Sequence, residues 1–90
     1  MSISKNLAIN LKYYRRKYGL SQEKFAELIG TSLSYLNQIE NNRVDVRSPT
    51  IDKFADNLNK YDKKLKITSA DLVTYNKEHI THYKRIDEKK

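Results

Sequence analysis

Cysteine is missing from the 90 residues altogether, which excludes disulfides and thiolate zinc sites. Glycine occurs twice and proline once. So few glycines exclude a glycine-rich phosphate loop. No apolar run approaches the roughly 20 residues that cross a bilayer. The first residues, Met1-Ser2-Ile3-Ser4-Lys5, lack the apolar core of a signal peptide. The chain is therefore expected to stay in the cytoplasm, with no membrane partner. No Ser/His/Asp set has credible catalytic spacing, and the serines fall at apparent helix starts, so neither an enzyme nor a cofactor is expected. His79 and His82 are spaced to share a helix face, but no third ligand cluster accompanies them. They read as solvated histidines rather than a metal site.

Positive charge is plentiful. The net charge is +7, and such an excess attracts polyanions: DNA, RNA or an acidic membrane surface. Residues 1–59 carry a net +3 and residues 60–90 a net +4. The first part is no featureless basic block, so recognition there must rest on placement. Tyrosine is also plentiful, at seven, which invites a single-strand RNA reading. Tyr14, Tyr18 and Tyr35 fall on helical faces that pack the domain, however, whereas such binders expose aromatics on a platform.

Periodicity organises the chain into helices. Leu7, Leu11, Tyr14 and Tyr18 recur at helical spacing, with Ser4 as cap and Gly19 as stop. A second helix is expected from about Gln22 to Ile29, capped by Ser21 and ended by Gly30. A third runs from about Leu33 to Glu40, capped by Ser32, with Leu36 and Ile39 inward. A fourth starts at Ser48-Pro49, with serine as cap and proline where its missing N–H costs nothing. Ile51, Phe54, Ala55 and Leu58 form its inner face. Residues 60–66 read as a charged linker. A short fifth helix is expected from Ser69 to Tyr75, with Ser69 as cap and Leu72 and Val73 as anchors. Residues 79–87 fit either a thin helical stripe or one face of a strand, and the extended form is preferred. The expected division is a domain over residues 4–76 and a tail over 77–90.

Residues 22–39 carry the functional signal. Two helices joined by a very short turn need a small side chain where they approach, and Ala26 supplies it. The turn needs a left-handed residue, which costs any residue but glycine about 1–2 kcal/mol, and Gly30 sits there. Leu36 and Ile39 then face the preceding helix. An ordinary helical hairpin would satisfy the same spacing.

The segment "GLSQEKFAELIGTSLSYLNQIENNR" resembles the Cro/cI-type repressor domain, the XRE family of lambda repressor-like proteins. "LSQEKFAELIG" is similar to that family's second helix and "SYLNQIEN" to its third. The likeness covers about residues 5–59, and residues 69–73 resemble the family's fifth helix. Residues 60–66 are longer than the usual connection, and the last fifteen residues resemble nothing general in the family. The resemblance implies an all-α, five-helix fold containing a helix-turn-helix, with a C-terminal tail that is extended or forms a strand.

It also implies double-stranded DNA as partner, with the third helix in the major groove. Ser32, Leu33, Ser34, Asn37 and Gln38 would then face base edges. Glutamine can bond an adenine edge twice, for about 1–3 kcal/mol of discrimination. Ser34 suits several bases, and Leu33 suits a thymine methyl where several phage repressors have a polar residue. Gln22, at the amino end of the second helix, would hold a phosphate, where free N–H groups and the helix dipole favour an anion. Asn41, Arg43 and Arg47 would meet the sugar-phosphate backbone, fixing register rather than sequence. Arg15 and Glu40 stand where the family places a buried ion pair. For Arg47 and Lys53 a plain solvated charge is an equal reading.

The resulting expectation is a transcription regulator, a repressor acting as a homodimer on an inverted repeat. No ligand domain follows, so control is expected through protein level, a partner or the tail. The dimer face is expected in the tail, at Ile80, Tyr83 and Ile86 with Leu72, Val73 and Tyr75. Other classes are an antitoxin-type protein, whose tail binds a protein partner, and the controller of a restriction-modification operon.

Overall fold

The computed structural model describes residues 3–80. Five helices follow in order: α1 (Ile3–Lys17), α2 (Gln22–Ile29), α3 (Leu33–Glu40), α4 (Ser48–Tyr61) and α5 (Ser69–Val73). Residues 77–80 add a further helical turn. Among the described residues there is no strand. α1 packs on α3 and α5, α2 on α3 and α4, and α4 on α5.

One core joins all five helices. It is built from Leu7, Leu11 and Tyr14 of α1, Phe25, Ala26 and Ile29 of α2, and Leu36 and Ile39 of α3. Ile51, Phe54, Ala55 and Leu58 of α4 and Leu72 of α5 complete it. Phe25 and Phe54 are fully buried, and burying such a side chain contributes about 1.5–3 kcal/mol.

The boundaries follow local chemistry. Ser21 Oγ accepts from the Lys24 N–H at 3.1 Å and Ser32 Oγ from the Tyr35 N–H at 3.0 Å, satisfying helix donors that have no partner within the helix. The first, fourth and fifth helices differ from the expected caps. α1 already contains Ile3 and Ser4, so Ser4 is a helical residue rather than its cap. Arg47, not Ser48, precedes α4: its carbonyl accepts from Thr50 and Ile51 N–H. Ser48 and Pro49 are thus the first two helical residues, where an N–H has no acceptor in the helix anyway. Thr68, not Ser69, caps α5. Its Oγ1 accepts from the Asp71 N–H while Asp71 Oδ2 accepts from the Thr68 N–H at 2.8 Å. This capping box requires an acceptor side chain three residues on; Thr68 has Asp71 there and Ser69 has Leu72.

The expected linker is tied down. α4 runs through Lys60 to Tyr61. Asn59 then donates to Ile67 O at 2.8 Å and accepts from Ile67 N–H at 2.9 Å. Leu65 and Ile67 pack on the core.

The expectation for the tail needs correction where it is described. Positions 79 and 80 are helical rather than extended, and His79 is buried rather than solvated. Its ring stacks on Tyr13, with centroids 3.8 Å apart and planes 12° apart, and meets Tyr14 edge-on. Nδ1 lies 2.7 Å from Asn10 Oδ1. The Asn10 amide nitrogen faces the carbonyls of Asp71, Leu72 and Thr74 at 3.2, 2.7 and 3.0 Å. That fixes the amide's orientation, so its oxygen is the acceptor and His79 Nδ1 carries the hydrogen. Through these contacts the helical turn at residues 77–80 packs on α1. Tyr83 and Ile86, and with them most of the 79–87 reading, lie outside the described residues.

Candidate nucleic-acid interface

The turn between α2 and α3 is held from two sides. Gly30 adopts φ 87°, and its N–H and that of Thr31 return to Ala26 O at 3.0 and 2.9 Å. This is the left-handed helix ending that glycine favours. α4 holds the same turn from behind: Asn57 Nδ2 donates to Ile29 O at 2.9 Å and Lys53 Nζ to Gly30 O at 2.8 Å. Lys53 is thus a capping residue at the end of α2, where the helix dipole favours a cation, rather than an idle surface charge. A Cβ at Gly30 would stand 2.9 Å from Asn57 Nδ2.

The end of α3 repeats the device without glycine. Asn42 takes φ 57°. Its N–H returns to Ile39 O and that of Arg43 to Gln38 O. Asparagine tolerates this conformation better than most residues. The reversal directs Arg43 out from the end of α3.

Arg15 and Glu40 form a two-pronged ion pair: Nε to Oε2 at 2.8 Å and Nη2 to Oε1 at 3.1 Å. The Glu40 side chain is 1% exposed and that of Arg15 15%. The pair also extends toward α2. Gln22 Nε2 donates to Glu40 Oε1 at 3.0 Å, and Gln22 Oε1 accepts from Asn37 Nδ2 at 3.4 Å. Asn41 Nδ2 in turn donates to Asn37 O and Oδ1 at 2.8 and 3.2 Å. One chain of polar contacts thus links α1, α2 and α3. The Gln22 amide has a second hydrogen beyond the one given to Glu40, available at the amino end of α2.

The residues singled out from sequence divide by what they already hold. Ser32, Leu33, Ser34, Asn37 and Gln38 are all exposed at the amino end and outer face of α3. Ser32 Oγ is occupied as an acceptor by its cap, leaving the hydroxyl hydrogen to donate. Asn37 is engaged with Gln22 and Asn41. No hydrogen bond among the described residues engages the Ser34 or Gln38 side chain, and Leu33 is 45% exposed. Asn41, Arg43 and Arg47 are exposed beside them, and Gln22 is half-buried. The sequence reading missed Asn57 and Lys53 as supports of the turn, and Asn42 as the residue that turns the chain toward Arg43. The Asn41-Asn42 pair just after the helical pattern was the available signal for the latter.

A capped helix, a glycine turn and a second helix with an outward polar face define a helix-turn-helix DNA-binding protein. A family model described as "Helix-turn-helix" matches residues 11–65, more than half of the chain, and the chain belongs to that family, with the XRE-type, Cro/cI-like arrangement. It is 49% identical over 41 residues to a "Propionyl-CoA carboxylase regulator" of Cereibacter sphaeroides, covering 46% of this chain and 9% of that protein. The chain thus spans less than a tenth of the curated relative it matches. Its fold is similar to that of a hypothetical transcription factor, NHTF, from Neisseria: TM-score 0.69, 24% identity, 88% of this chain and 83% of the other.

Proposed function

We propose that this chain is a transcription regulator, a repressor that occupies promoter DNA as a homodimer on an inverted repeat. The observation that carries the reading is the exposed amino end and outer face of α3. Leu33, Ser34 and Gln38 stand outward there, flanked by Gln22 on one side and Arg43 on the other. Gln38 reads a base edge, Ser34 and Leu33 tune the neighbouring step, and Gln22, Asn41, Arg43 and Arg47 hold the backbone. The protein acts by binding, not by chemistry, and in the cytoplasm. The regulator from Cereibacter supports a regulatory role through the segment the two chains share, which leaves the controlled genes open.

One helix-turn-helix reads too few base pairs to select a genomic site. Two units related by a two-fold axis read half-sites about 34 Å apart. Two adjoining clefts, of 240 and 250 Å³, share Ile3 and Val46. Ile51, Ala70 and Val73 extend this apolar face, and Ile3 is 63% exposed. Val46 follows Arg43 closely, so a second copy seated here would set two recognition helices side by side on one DNA face. This assignment shifts the dimer face from the tail to α5 and the start of α1. Val73 remains in it, while Leu72 is spent in the core.

Selection of bound sequences from random duplex DNA, followed by footprinting, tests the reading. An inverted repeat protected over two half-sites is expected, and the absence of any enriched sequence would defeat it. Gln38→Ala should relax preference at one base pair per half-site, while Arg43→Ala should weaken binding on all sequences. Val73→Glu should sediment as a monomer and lose operator affinity.

A further inference from the structure

We infer that Leu33 reads pyrimidine C5-methyl groups in the major groove, so that one position of each half-site prefers thymine to uracil and 5-methylcytosine to cytosine. The inference rests on the DNA-binding reading above and names what one residue of that interface recognises.

Leu33 is the first residue of α3, directly after the Ser32 cap. It is 45% exposed and stands outside the core, to which α3 contributes Leu36 and Ile39. A single exposed leucine is ordinary on a protein surface. The surroundings distinguish this one. Ser32, Ser34, Asn37 and Gln38 are exposed and polar around it, so Leu33 is an apolar spot within a polar reading face.

The polar residues divide beside it. Leu33 shares a helix face with Asn37, and Ser34 with Gln38, each at i, i+4 spacing. Asn37 is held at both ends of its amide. Its Nδ2 donates to Gln22 Oε1 at 3.4 Å, and its Oδ1 accepts from Asn41 Nδ2 at 3.2 Å. Gln22 is fixed in turn, because its Nε2 donates at 3.0 Å to the Glu40 carboxylate that Arg15 pairs. A carboxylate only accepts, so the Gln22 oxygen is the end left for Asn37. Asn37 engaged in this way does not offer a base the free donor and acceptor that together read an adenine edge. The Gln38 side chain keeps both. α3 therefore carries a hydrogen-bonding stripe at Ser34 and Gln38 and, beside it, an apolar contact at Leu33.

Every base pair offers donors and acceptors in the major groove, but only one apolar group occurs there, the C5-methyl of thymine. Leucine meets that methyl by burial alone, and burial is non-directional. It has no atom that tells the thymine O4 from the cytosine N4 amino group. A cytosine methylated at C5 therefore presents Leu33 with the group that thymine presents, whereas uracil and cytosine do not. Recognition at this step depends on a covalent mark as well as on sequence, and cytosine methylation there strengthens binding.

The test uses the full chain and the duplex enriched from random DNA, with uracil replacing thymine one position at a time. At one position per half-site uracil should weaken binding about four-fold, the value of burying one methyl-sized group. With a cytosine–guanine pair placed at that position, 5-methylcytosine should bind about four-fold tighter than cytosine. Leu33→Ser should erase both differences and keep the preference that Gln38 sets. Leu33→Met, which keeps an apolar reach, should retain them. Thermal melting of each variant establishes that it is folded before binding is compared. Uracil that binds like thymine at every position overturns the inference and leaves the DNA-binding reading intact. So does a methyl effect that survives in Leu33→Ser, or a uracil effect with no matching gain from 5-methylcytosine. The absence of any enriched sequence would instead overturn the DNA-binding reading and this inference together.

Discussion

Residues 20–43 and residues 59–80 both lie against the core, yet they are held in different ways. In the helix-turn-helix the chain reverses through residues of the right type: Ser21 and Ser32 as caps, Gly30 at φ 87° and Asn42 at φ 57°. Each acts on backbone groups a few residues away. In the carboxyl-terminal region the reversals are held by amide side chains reaching far along the sequence. Asn6 bonds Val73 O and Asn10 bonds three carbonyls around the end of α5, while Asn59 makes a shorter clamp on Ile67. Local chemistry sets the reversals on either side of α3, with Asn57, Lys53 and the Arg15–Glu40 pair bracing them from afar, whereas the carboxyl-terminal region depends chiefly on distant polar contacts.

The largest expected effect tests whether the first region is as local as this contrast implies. Glu40→Ala leaves the Arg15 guanidinium partly buried without its carboxylate, which costs about 3–5 kcal/mol. Denaturant unfolding should show that loss, and the Arg15→Ala, Glu40→Ala double variant should recover part of it. The loss should also reach DNA binding, because Glu40 orients Gln22 at the start of α2. An unfolding midpoint like the parent's would show that the pair contributes nothing. A destabilised variant with unchanged DNA affinity when folded would separate Gln22 from it.

The second effect belongs to the distant contacts. Asn10→Ala removes the donor to Asp71, Leu72 and Thr74 and the acceptor for His79 together. A buried group left without its partner costs about 1–3 kcal/mol, and this change orphans several. His79→Ala should cost less, because Asn10 keeps its bonds to the end of α5. If the two variants melt alike, His79 rather than α5 carries the value of Asn10.

Gly30→Ala comes next. A left-handed alanine costs about 1–2 kcal/mol, and the added Cβ meets Asn57 Nδ2 at 2.9 Å. In an Asn57→Ala background the same change should cost less, because only the backbone strain remains. Equal costs in the two backgrounds would show that the Asn57 side chain moves aside freely.

The same contrast explains what the sequence made legible. Gly30, Ser21, Ser32 and the Leu36/Ile39 pair act on near neighbours, so their spacing reveals their work, and α2 and α3 have the bounds that the spacing predicts. The Thr68–Asp71 capping box is just as local, but the choice between Thr68 and Ser69 turns on one residue of register. Asn10 and His79 were not legible, because they lie 69 residues apart and nothing in either neighbourhood marks them as partners. Lys53 and Asn57 fall in the same class. Their positions on α4 suit solvent as well as α2, and only the packing of the two helices decides. At the candidate interface, residue types identified the exposed face of α3. The Gln22–Glu40 bond depends on three helices meeting and was not legible.

The smallest effect concerns Tyr18, where local and distant chemistry meet. Its hydroxyl donates to Asp62 Oδ2 at 2.9 Å across 44 residues, and its ring meets Tyr61 edge-on at 5.0 Å. Burial first, then the bond to Asp62 and the nearby carboxylate charge, push the phenol's pKa upward. Tyr14 shifts the same way, chiefly through burial. An unfolded tyrosine titrates near 10. Below about pH 10 both states keep the phenol proton, and this contribution to stability is fully present. Above it the unfolded chain releases the proton while the folded chain retains it, so stability falls as pH rises toward the folded value. Tyr18 is only half-buried, so solvent screens the interaction, and Tyr18→Phe should cost about 0.5–1.5 kcal/mol at neutral pH. The parent and variant curves should then converge above about pH 10, because the parent alone loses the Tyr18 contribution there. Parallel curves through the alkaline limb would mean that the Tyr18–Asp62 bond does not hold the proton. The end of α4 would then be fastened to α1 by ring packing alone.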